Sequence, residues 1–294
     1  MTGEVIDGLV AVDKPAGWTS HDVVARCRRI FNQKKVGHSG TLDPDATGVL
    51  LVGLGRVTRL LRFLTELPKS YTGEVVLGVA TSTLDAAGDE TGRWDMAAVT
   101  VEQARTAART LTGPIEQVPP MVSAVQIGGK RLHDLARQGI EVDRPPRPVE
   151  VYKFSVDDGP APGVLAVEVE CSSGTYVRTL AADLGTALGG GAHLRNLRRT
   201  AIGSFAVADA HSLDELERLG PAAVLTPAEA LRDYPSLVVD DEGVMAVGFG
   251  RVLPADRAEG RGPWRVLDGD GRLLGMYERG AAGVLSAAVV VAPA

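Results

Sequence analysis

The sequence predicts a mixed α/β fold in which helices pack against a sheet, followed by a small β-barrel-like segment. Helix-like and strand-like apolar patterns alternate irregularly up to Arg232, which is typical of a mixed sheet. From Asp233 onward, short strand-like segments separated by glycines follow. A chain of 294 residues is long enough for two domains. We therefore predict domains at residues 1–232 and 233–294.

Local signals justify each element of the first domain. An apolar run from Gly8 is typical of a buried strand, and Pro15 ends it. Thr19 or Ser20 then caps a helix whose apolar residues recur at helical spacing, and Thr100 begins another helix with a capping box. The predicted elements, in chain order, are strand 8–14, helix 19–31, strand 49–53, helix 57–64, strand 70–81, helix 100–111, strand 163–171 and helix 175–188.

Other stretches are predicted as connections or as hairpin strands. Residues 32–48 are expected to form a loop, and the proline-rich stretch 141–150 a loop between strands. Two apolar runs around an Asp-Gly turn predict a hairpin over residues 264–280. An apolar run from Val284 predicts a last strand.

The charge distribution allows a nucleic-acid partner despite the net charge of −6. The segment from Ser212 to Glu242 carries this whole excess of negative charge, so the rest of the chain is neutral overall. Within that rest, basic residues cluster at 26–35, 128–139 and 193–200. The clusters could form an electrostatic track for a phosphate backbone. Taken alone, they are better explained as solvated helix faces.

Composition argues against several classes of protein. Cys27 and Cys171 stand apart, with no CxxC pair, which favours buried reduced thiols over a disulfide or a metal site. The N-terminus becomes polar too early for a signal peptide, and no apolar run reaches the roughly 20 residues that a membrane span needs. We therefore expect a cytoplasmic protein without metal or membrane contacts.

Asp43 is the first candidate for chemistry. It precedes Pro44, and proline holds the residue before it in an extended conformation. Glycine, serine, threonine and alanine surround it, which lets a bulky ligand approach closely. An Asp-Pro turn that only caps a strand is the other interpretation. With His38 five residues upstream, the two interpretations are evenly balanced.

Aromatic and basic residues stand out in two further stretches. Tyr71 begins an alternating strand, where an exposed ring would form a stacking platform for a base, although packing between strands is the more common role. Tyr176 and Arg178 follow a turn near a helix N-terminus, and residues two apart do not share a helix face. A buried arginine requires an anionic partner, for which Asp43 and Asp85 are the candidates.

Six motifs follow one another in order over residues 8–204. They are VDKPAGWTSHDVV, GHSGTLDPDATGVLLVGLG, KSYTGEV, PPMVSAVQIGGKRLHDLARQG, CSSGTYVRTLAADLG and HLRNLRRTAIG. A lone LDP would be a weak signal, but six motifs in consistent order are specific. Together they resemble the motifs of the TruB family of tRNA pseudouridine synthases.

The resemblance implies an isomerase that flips uridine 55 of the tRNA T loop out of its stack and converts it to pseudouridine. It implies a bacterial, stand-alone enzyme and a monomer, with the T arm of tRNA as partner and no cofactor. It also implies an α/β (α+β) fold, with a mixed, mainly antiparallel sheet flanked by helices in the catalytic domain. The second domain is then a PUA-like β-barrel that binds RNA.

Matching the motifs residue by residue implies a role for each candidate. Asp43 matches the catalytic aspartate, Tyr71 the tyrosine stacked on the target base, and Arg178 the arginine that pairs with the aspartate. His38 matches the histidine that contacts the RNA where the base leaves its stack. The other matches are Tyr176 and Leu197 as pocket lining, Asp85 as a second acid that binds the arginine, and Lys14 and Pro15 as support for the active-site loop.

The implied reaction needs few groups. The N1–C1′ bond breaks, the uracil turns, and C5 joins C1′. An ionised aspartate can attack C6 of the ring, attack C1′, or assist elimination at the sugar, and a neighbouring arginine favours the ionised form. Flipping the base costs a few kcal/mol, and stacking on Tyr71 would return about 1–3 kcal/mol.

The sequence departs from the family pattern in two places. Gln126 and His133 stand where we expect a lysine and a tyrosine, which affects the RNA contacts of that segment rather than the chemistry. The C-terminal segment is divergent, so its PUA-like assignment rests on length, position and strand content.

Three alternatives compete with the family assignment. A non-catalytic tRNA-binding or tRNA-folding protein is disfavoured because Asp43, Tyr71 and Arg178 are intact. A nucleotide-binding α/β enzyme lacks support because neither a P-loop nor a GxGxxG motif after a strand occurs. A guide-RNA-dependent homologue is disfavoured by the low overall basicity and the lack of charged tails.

Overall fold

The computed structural model describes residues 5–291, except residues 124, 128, 133–134, 136–137, 141, 257 and 281–282. The chain divides into two compact units. The first comprises Met1–Pro44, Gly48–Glu66 and Gly203–Ala294, and the second Asp45–Thr47 and Leu67–Ile202. The predicted domain boundary at 232/233 lies inside the first unit and stays a prediction.

The elements of the described chain are as follows. The helices are α1 (Ser20–Ile30), α2 (Leu61–Glu66), α3 (Val101–Thr110), α4 (Val177–Ala187), α5 (Leu213–Leu219) and α6 (Asp241–Gly248). The strands up to residue 131 are β1 (Gly8–Lys14), β2 (Val36–Ser39), β3 (Thr47–Leu54), β4 (Lys69–Leu77), β5 (Val79–Thr81), β6 (Glu90–Arg93), β7 (Gly113–Gln117), β8 (Gln126–Ile127) and β9 (Lys130–Arg131). The later strands are β10 (Arg147–Asp158), β11 (Val164–Cys171), β12 (Ala192–Ile202), β13 (Phe205–Ala206), β14 (Ser236–Val238), β15 (Leu253–Pro254), β16 (Trp264–Leu267), β17 (Leu273–Arg279) and β18 (Val284–Val290).

In the first unit, α1 covers strands near the N-terminus. β3 pairs antiparallel with both β1 and β2. α1 begins at Thr19, whose side chain accepts the amide hydrogen of Asp22 while the Asp22 carboxylate accepts that of Thr19, a capping box. The apolar face of α1, with Val23 and Cys27 fully buried, packs into one core with residues of β1 and β3. This packing fixes the strand ends from which the loops of the site emerge.

The C-terminal strands form a second sheet of the first unit, in the order β14-β16-β17-β18-β15. Its core contains Trp264 and Tyr277, both buried. Hydrogen bonds tie this part to the α2 region: the Tyr234 hydroxyl donates to the carbonyl of Phe63 at 2.8 Å, and Arg59 donates to the carbonyl of Val290 at 2.8 Å. Within the first unit, polar contacts therefore anchor the C-terminal sheet to the α2 region.

The second unit is built on antiparallel strands in the order β12-β4-β11-β10-β7. Alternation along β4 and β11 buries Val75, Val167 and Val169 on one side. α4 lies close to the start of β12, because a Cβ added at Gly185 would lie only 2.4 Å from the amide nitrogen of Ala192. β4 is thus an interior strand, paired on both edges.

The predicted fold class is confirmed, since the described chain is an α/β (α+β) protein with mainly antiparallel strands. The buried thiols are also as expected. Cys27 and Cys171 are free, and burial raises the pKa of Cys27 to about 12 and that of Cys171 to about 11. Over the ranges that the structure describes, no helix is long and apolar enough to cross a membrane.

Several sequence-based expectations about elements are wrong. Residues 36–39 are strand β2 rather than loop, because pairing with β3 satisfies their backbone. The basic stretch 193–200 is not a helix face but part of β12, where pairing with β4 outweighs local preference. The predicted helix 57–64 is a 3₁₀ turn over Gly55–Arg59 followed by the short α2.

Two further differences concern prolines and caps. Within the stretch 141–150, the residues from Arg147 onward belong to β10 rather than to a loop. Pro148 is tolerated because β10 pairs only with β7 there, so its missing amide hydrogen breaks no second ladder. The segment after Asp233 also contains a helix, α6, which Asp240 caps by accepting the amide hydrogen of Gly243 at 3.0 Å.

The predicted hairpin 264–280 is confirmed by β16 and β17.

Candidate active site

In the first unit, the loop between β2 and β3 carries Asp43 between two anchored residues. The amide of Leu42 donates to the Ser20 hydroxyl at 2.9 Å, and that hydroxyl lies 3.2 Å from the Leu42 carbonyl, to which it donates. On the other side, the carbonyl of Pro44 accepts the amide hydrogen of Gly17 at 3.0 Å. Asp43 stays partly exposed. Its carboxylate is therefore carried on backbone that is held both before and after it.

Lys14 adds further hydrogen bonds to the backbone beside Asp43. Its side chain is fully buried, and its Nζ donates to the carbonyls of Trp18 at 2.6 Å, Pro44 at 2.8 Å and Pro15 at 3.0 Å. A buried ammonium requires polar partners, and these three carbonyls supply them. Lys14 thus connects the turn after β1 to the residue that follows Asp43, and Pro15 contributes its carbonyl while its own ring is exposed.

His38 lies on β2, opposite Val52 of β3, and is half-buried. Its ring meets the ring of His21 edge-on, with centroids 5.4 Å apart and planes at 83°. The structure therefore places His38 on the strand that leads into the Asp43 loop, next to a second histidine that the sequence analysis did not single out.

In the second unit, Arg178 is the centre of a buried polar cluster. It lies in the first turn of α4 and is 4% exposed. Its Nη1 donates to the carbonyl of Thr83 at 2.9 Å and lies 3.3 Å from Oδ2 of Asp85, and its Nη2 donates to the carbonyl of Val122 at 3.0 Å. Asp85, one of its two candidate anionic partners, thus forms an ion pair with it. A guanidinium with several donors in a fixed plane suits such a junction.

The turn that carries Asp85 is itself strained and pinned. Leu84 has a φ of +63°, a left-handed conformation that a bulky side chain rarely adopts. Its carbonyl accepts the amide hydrogen of Leu194 in β12 at 3.0 Å, and the Thr83 hydroxyl donates to Oδ1 of Asp85. Pairing with β12 therefore holds Asp85 in place at a conformational cost.

Tyr176 is held through its backbone. It is the N-cap residue of α4, and its amide donates to Oε1 of Gln117 at 2.7 Å while its carbonyl accepts from Nε2 of Gln117 at 3.2 Å. Gln117 ends β7 and is buried. The sequence analysis missed this glutamine, because nothing in its neighbourhood along the chain distinguishes it from a surface residue.

Tyr71 lies on β4, opposite Val169 of β11 and Arg199 of β12. It is 9% exposed, so of the two interpretations left open by the sequence the ring is packed rather than openly exposed. The reason is that β4 is an interior strand, a position that local alternation does not reveal. Leu197, half-buried, sits in a bulge of the adjacent strand β12.

The structure therefore groups the candidates in two sets. One contains Lys14, Pro15, His38 and Asp43 in the first unit, and the other contains Tyr71, Asp85, Tyr176, Arg178 and Leu197 in the second. Of the two departures in sequence, Gln126 lies on the short strand β8, and His133 lies outside the described residues. Across the described ranges, no three His, Cys, Asp or Glu side chains are grouped as metal ligands.

Family models match most of the chain. The model of the TruB family pseudouridylate synthase N-terminal domain matches residues 28–177, and that of the tRNA pseudouridylate synthase B C-terminal domain matches residues 178–233. The chain belongs to the TruB family. The predicted family is thus confirmed, and with it the enzyme class, since pseudouridylate synthases of the TruB family are isomerases.

Individual relatives extend the TruB match over the full length. A tRNA pseudouridine synthase B of Mycobacterium avium (strain 104) is 49% identical over 263 residues, covering 88% of this chain and 81% of the relative. One of Rhodococcus jostii (strain RHA1) is 44% identical over 298 residues, covering 100% of this chain and 96% of the relative. Among solved structures, a crystal structure of a Cbf5-Nop10-Gar1 complex matches with a TM-score of 0.77 at 26% identity, covering 97% of this chain and 85% of that chain.

The buried ammonium of Lys14 generates a stability prediction. Lys14→Met removes the donor from three carbonyls while keeping most of the apolar stem. We expect the free energy of unfolding, measured by urea denaturation, to fall by about 2–4 kcal/mol, because three part-buried carbonyls lose their charged donor.

Lys34→Met is the matched control, since Lys34 is exposed. It should change the free energy of unfolding by no more than about 0.5 kcal/mol. Equal stability of the two variants would mean that the carbonyls around Lys14 are satisfied without it.

Proposed function

We propose that this chain converts uridine 55 in the T loop of tRNA to pseudouridine, with Asp43 as the essential acid. The observation that supports this most is the match to enzymes named tRNA pseudouridine synthase B, at 44–49% identity over 88–100% of this chain. Uridine isomerisation in tRNA is the activity that this match supports. The T-arm specificity, a monomeric state and a cytoplasmic location are part of the proposal.

The anchored loop suits the chemistry proposed for Asp43. Isomerisation requires the acid to meet one atom of a flipped uridine, and a displacement of about 1 Å can cost on the order of 100-fold in rate. Hydrogen bonds to Leu42 and Pro44, on either side of Asp43, restrict such displacement. The small residues Gly40 and Thr41 before it leave room for the nucleotide.

The second set of residues is proposed to bind the base. Tyr71 stacks on the uracil, and Tyr176 and Leu197 line its pocket. Arg178, neutralised in part by Asp85, carries positive charge into a buried place where an anionic partner is favoured. Its pairing with Asp43 stays a prediction from the resemblance, as does the contact of His38 with the RNA.

The alternatives are less well supported. A guide-RNA-dependent homologue that works within an assembly is the main competitor, because a chain solved as part of a Cbf5-Nop10-Gar1 complex shares the fold. Identity to that chain is 26%, however, against 44–49% to the tRNA pseudouridine synthase B relatives. A non-catalytic binding protein would have no need for Asp43 in its anchored setting.

The C-terminal sheet is proposed to grip tRNA away from the reacting base. Its arginines differ in what they contact. Arg261 and Arg272 are both exposed, but Arg272 forms ion pairs with Asp268 at 2.8 Å and with Asp270 at 2.7 Å. The remaining candidates are Arg251 over the Phe249 ring, Arg265 bonded to the Ala228 carbonyl, Arg279 over the Trp264 ring, and Arg257, which lies outside the described residues.

Asp43→Asn tests the proposed chemistry. The amide keeps the size of the side chain but loses the charge, so we expect turnover of unmodified tRNA to fall by a factor on the order of 10⁴ with little loss of affinity. Nucleoside analysis for pseudouridine measures the turnover and its position.

Asp45→Asn is the control for this variant, because Asp45 is exposed two residues further on. It should behave like the wild type. Turnover of Asp43→Asn within tenfold of the wild type would assign the catalysis to another residue.

Tyr71 variants separate stacking from proton transfer. If the ring is mainly a stacking platform, Tyr71→Phe keeps tRNA affinity while Tyr71→Leu loses about 1–3 kcal/mol of it. If the hydroxyl takes part in removing the C5 proton, Tyr71→Phe binds normally but turns over slowly. Binding titrations and single-turnover rates measure both, and equal behaviour of all three proteins would leave Tyr71 with a packing role.

The salt dependence of binding tests the role of the C-terminal sheet. A plot of log affinity against log salt concentration has a negative slope. Arg261→Gln should reduce the magnitude of that slope by about 1, because one phosphate contact is lost. Arg272→Gln should change it less, since two aspartates already neutralise Arg272. An unchanged slope for Arg261→Gln would argue that this arginine does not contact the RNA backbone.

A further inference from the structure

β12 contains an extra residue beside β4. Arg195 is paired with Glu74 and Arg198 with Thr72, so Asn196 and Leu197 together face one residue of β4. Asn196 has a φ of +53°, a left-handed conformation that asparagine tolerates better than most residues. Such bulges bend a strand and redirect a side chain. Leu197, the proposed wall of the base pocket, is one of the two residues in this bulge.

Glu74 binds the side chain at the start of this bulge, since its Oε2 accepts from Nε of Arg195 at 2.6 Å. That hydrogen bond is the main reason that the pKa of Glu74 lies below its usual value, and the nearby Asn196 side chain contributes in the same direction. The carboxylate is therefore charged at neutral pH and binds the residue of β12 that comes directly before the bulge.

The neighbour of Glu74 lets the bulge lie close to β4. A Cβ added at Gly73 would lie 3.3 Å from Cδ1 of Leu194 and 3.7 Å from Cα of Leu197. The backbone of the bulge therefore passes directly over Gly73, in ordinary van der Waals range. The missing side chain of Gly73 leaves room for the bulge, and the Glu74 carboxylate is hydrogen-bonded to Arg195, which comes directly before it.

Stability alone is a weak reason for this pair. The side chains of Arg195 and Glu74 are 36% and 21% exposed, and ion pairs that contact water contribute little to folding. A comparable cross-strand pair joins Lys153 and Glu168 on β10 and β11 at 2.6 Å, with both side chains about half exposed. The register of β10 against β11 also shifts next to this pair, between Val151 and Lys153, but no candidate site residue lies in that shift, so Glu168 serves as the control.

We propose that Glu74 is a positioning residue: by binding Arg195 it sets the bulge of β12 and so the place of Leu197 against the uracil. This inference rests on the proposed function, in which Leu197 lines the base pocket. It adds to that function a residue that acts through another and has no assigned contact with the base.

The test compares Glu74→Ala with Glu168→Ala in the full chain, on unmodified tRNA. Loss of Glu74 frees the bulge, so kcat should fall about tenfold or more. KM for tRNA should stay within about twofold, because most of the affinity comes from contacts elsewhere. Glu168→Ala should leave both constants within about twofold, and Glu74→Gln, which keeps the acceptor oxygen, should recover much of the lost kcat.

A double-mutant cycle with Leu197→Ala shows whether Glu74 acts through Leu197. If it does, the double variant should be no slower than Leu197→Ala alone, since there is no longer a side chain to position. The proposal would be overturned if the losses of kcat in the two single variants multiplied in the double variant. It would also be overturned if Glu74→Ala kept the kcat of Glu168→Ala, or if Leu197→Ala kept the kcat of the wild type.

Failure of the proposed function gives a different result. A wild-type chain that forms no pseudouridine in tRNA would overturn both the function and this inference. Normal wild-type turnover, together with a Glu74→Ala variant that only melts earlier at unchanged kcat, would overturn the inference alone.

Discussion

The buried ammonium of Lys14 is the interaction on which the loop of Asp43 depends. In the proposed function this loop presents Asp43 to a nucleotide, and pairing into a regular strand would cover the backbone that the nucleotide approaches. Its carbonyls then need another donor. Lys14 supplies one to Pro44 while also binding the turn after β1. A single charge therefore joins two irregular segments of the first unit and leaves Asp43 accessible.

In the second unit, loop carbonyls also receive their hydrogen bonds from a buried cation. Arg178 donates to carbonyls of two separate loops, at Thr83 and Val122, and pairs with Asp85. In both units a long basic side chain replaces the hydrogen bonds that secondary structure would otherwise provide. The arrangement also tolerates a strained residue, Leu84, because pairing with β12 holds the neighbouring backbone.

Polar residues inside the sheet of the second unit add finer control. Gln117 clamps the backbone of Tyr176 through both its amide atoms, and Glu74 holds the bulge that carries Leu197. Neither residue was singled out in the sequence analysis. Both act on a residue that a family motif identifies, at one remove from the chemistry. In the proposed function the candidate residues contact the base, while Gln117 and Glu74 orient them without a contact of their own.

The sequence by itself determined the family, the fold class and the capped helices, and it singled out Asp43 as the candidate acid, because these depend on short-range patterns: apolar spacing, N-cap chemistry and ordered motifs. Local pattern also narrowed the carboxylate partner of Arg178 to two candidates. Only the tertiary structure decided that Tyr71 is covered, that residues 36–39 and 193–200 are strands, and that Gln117 and Glu74 hold other residues. Each of these follows from pairing between segments far apart in the chain, and the energy of such pairing is absent from any local stretch.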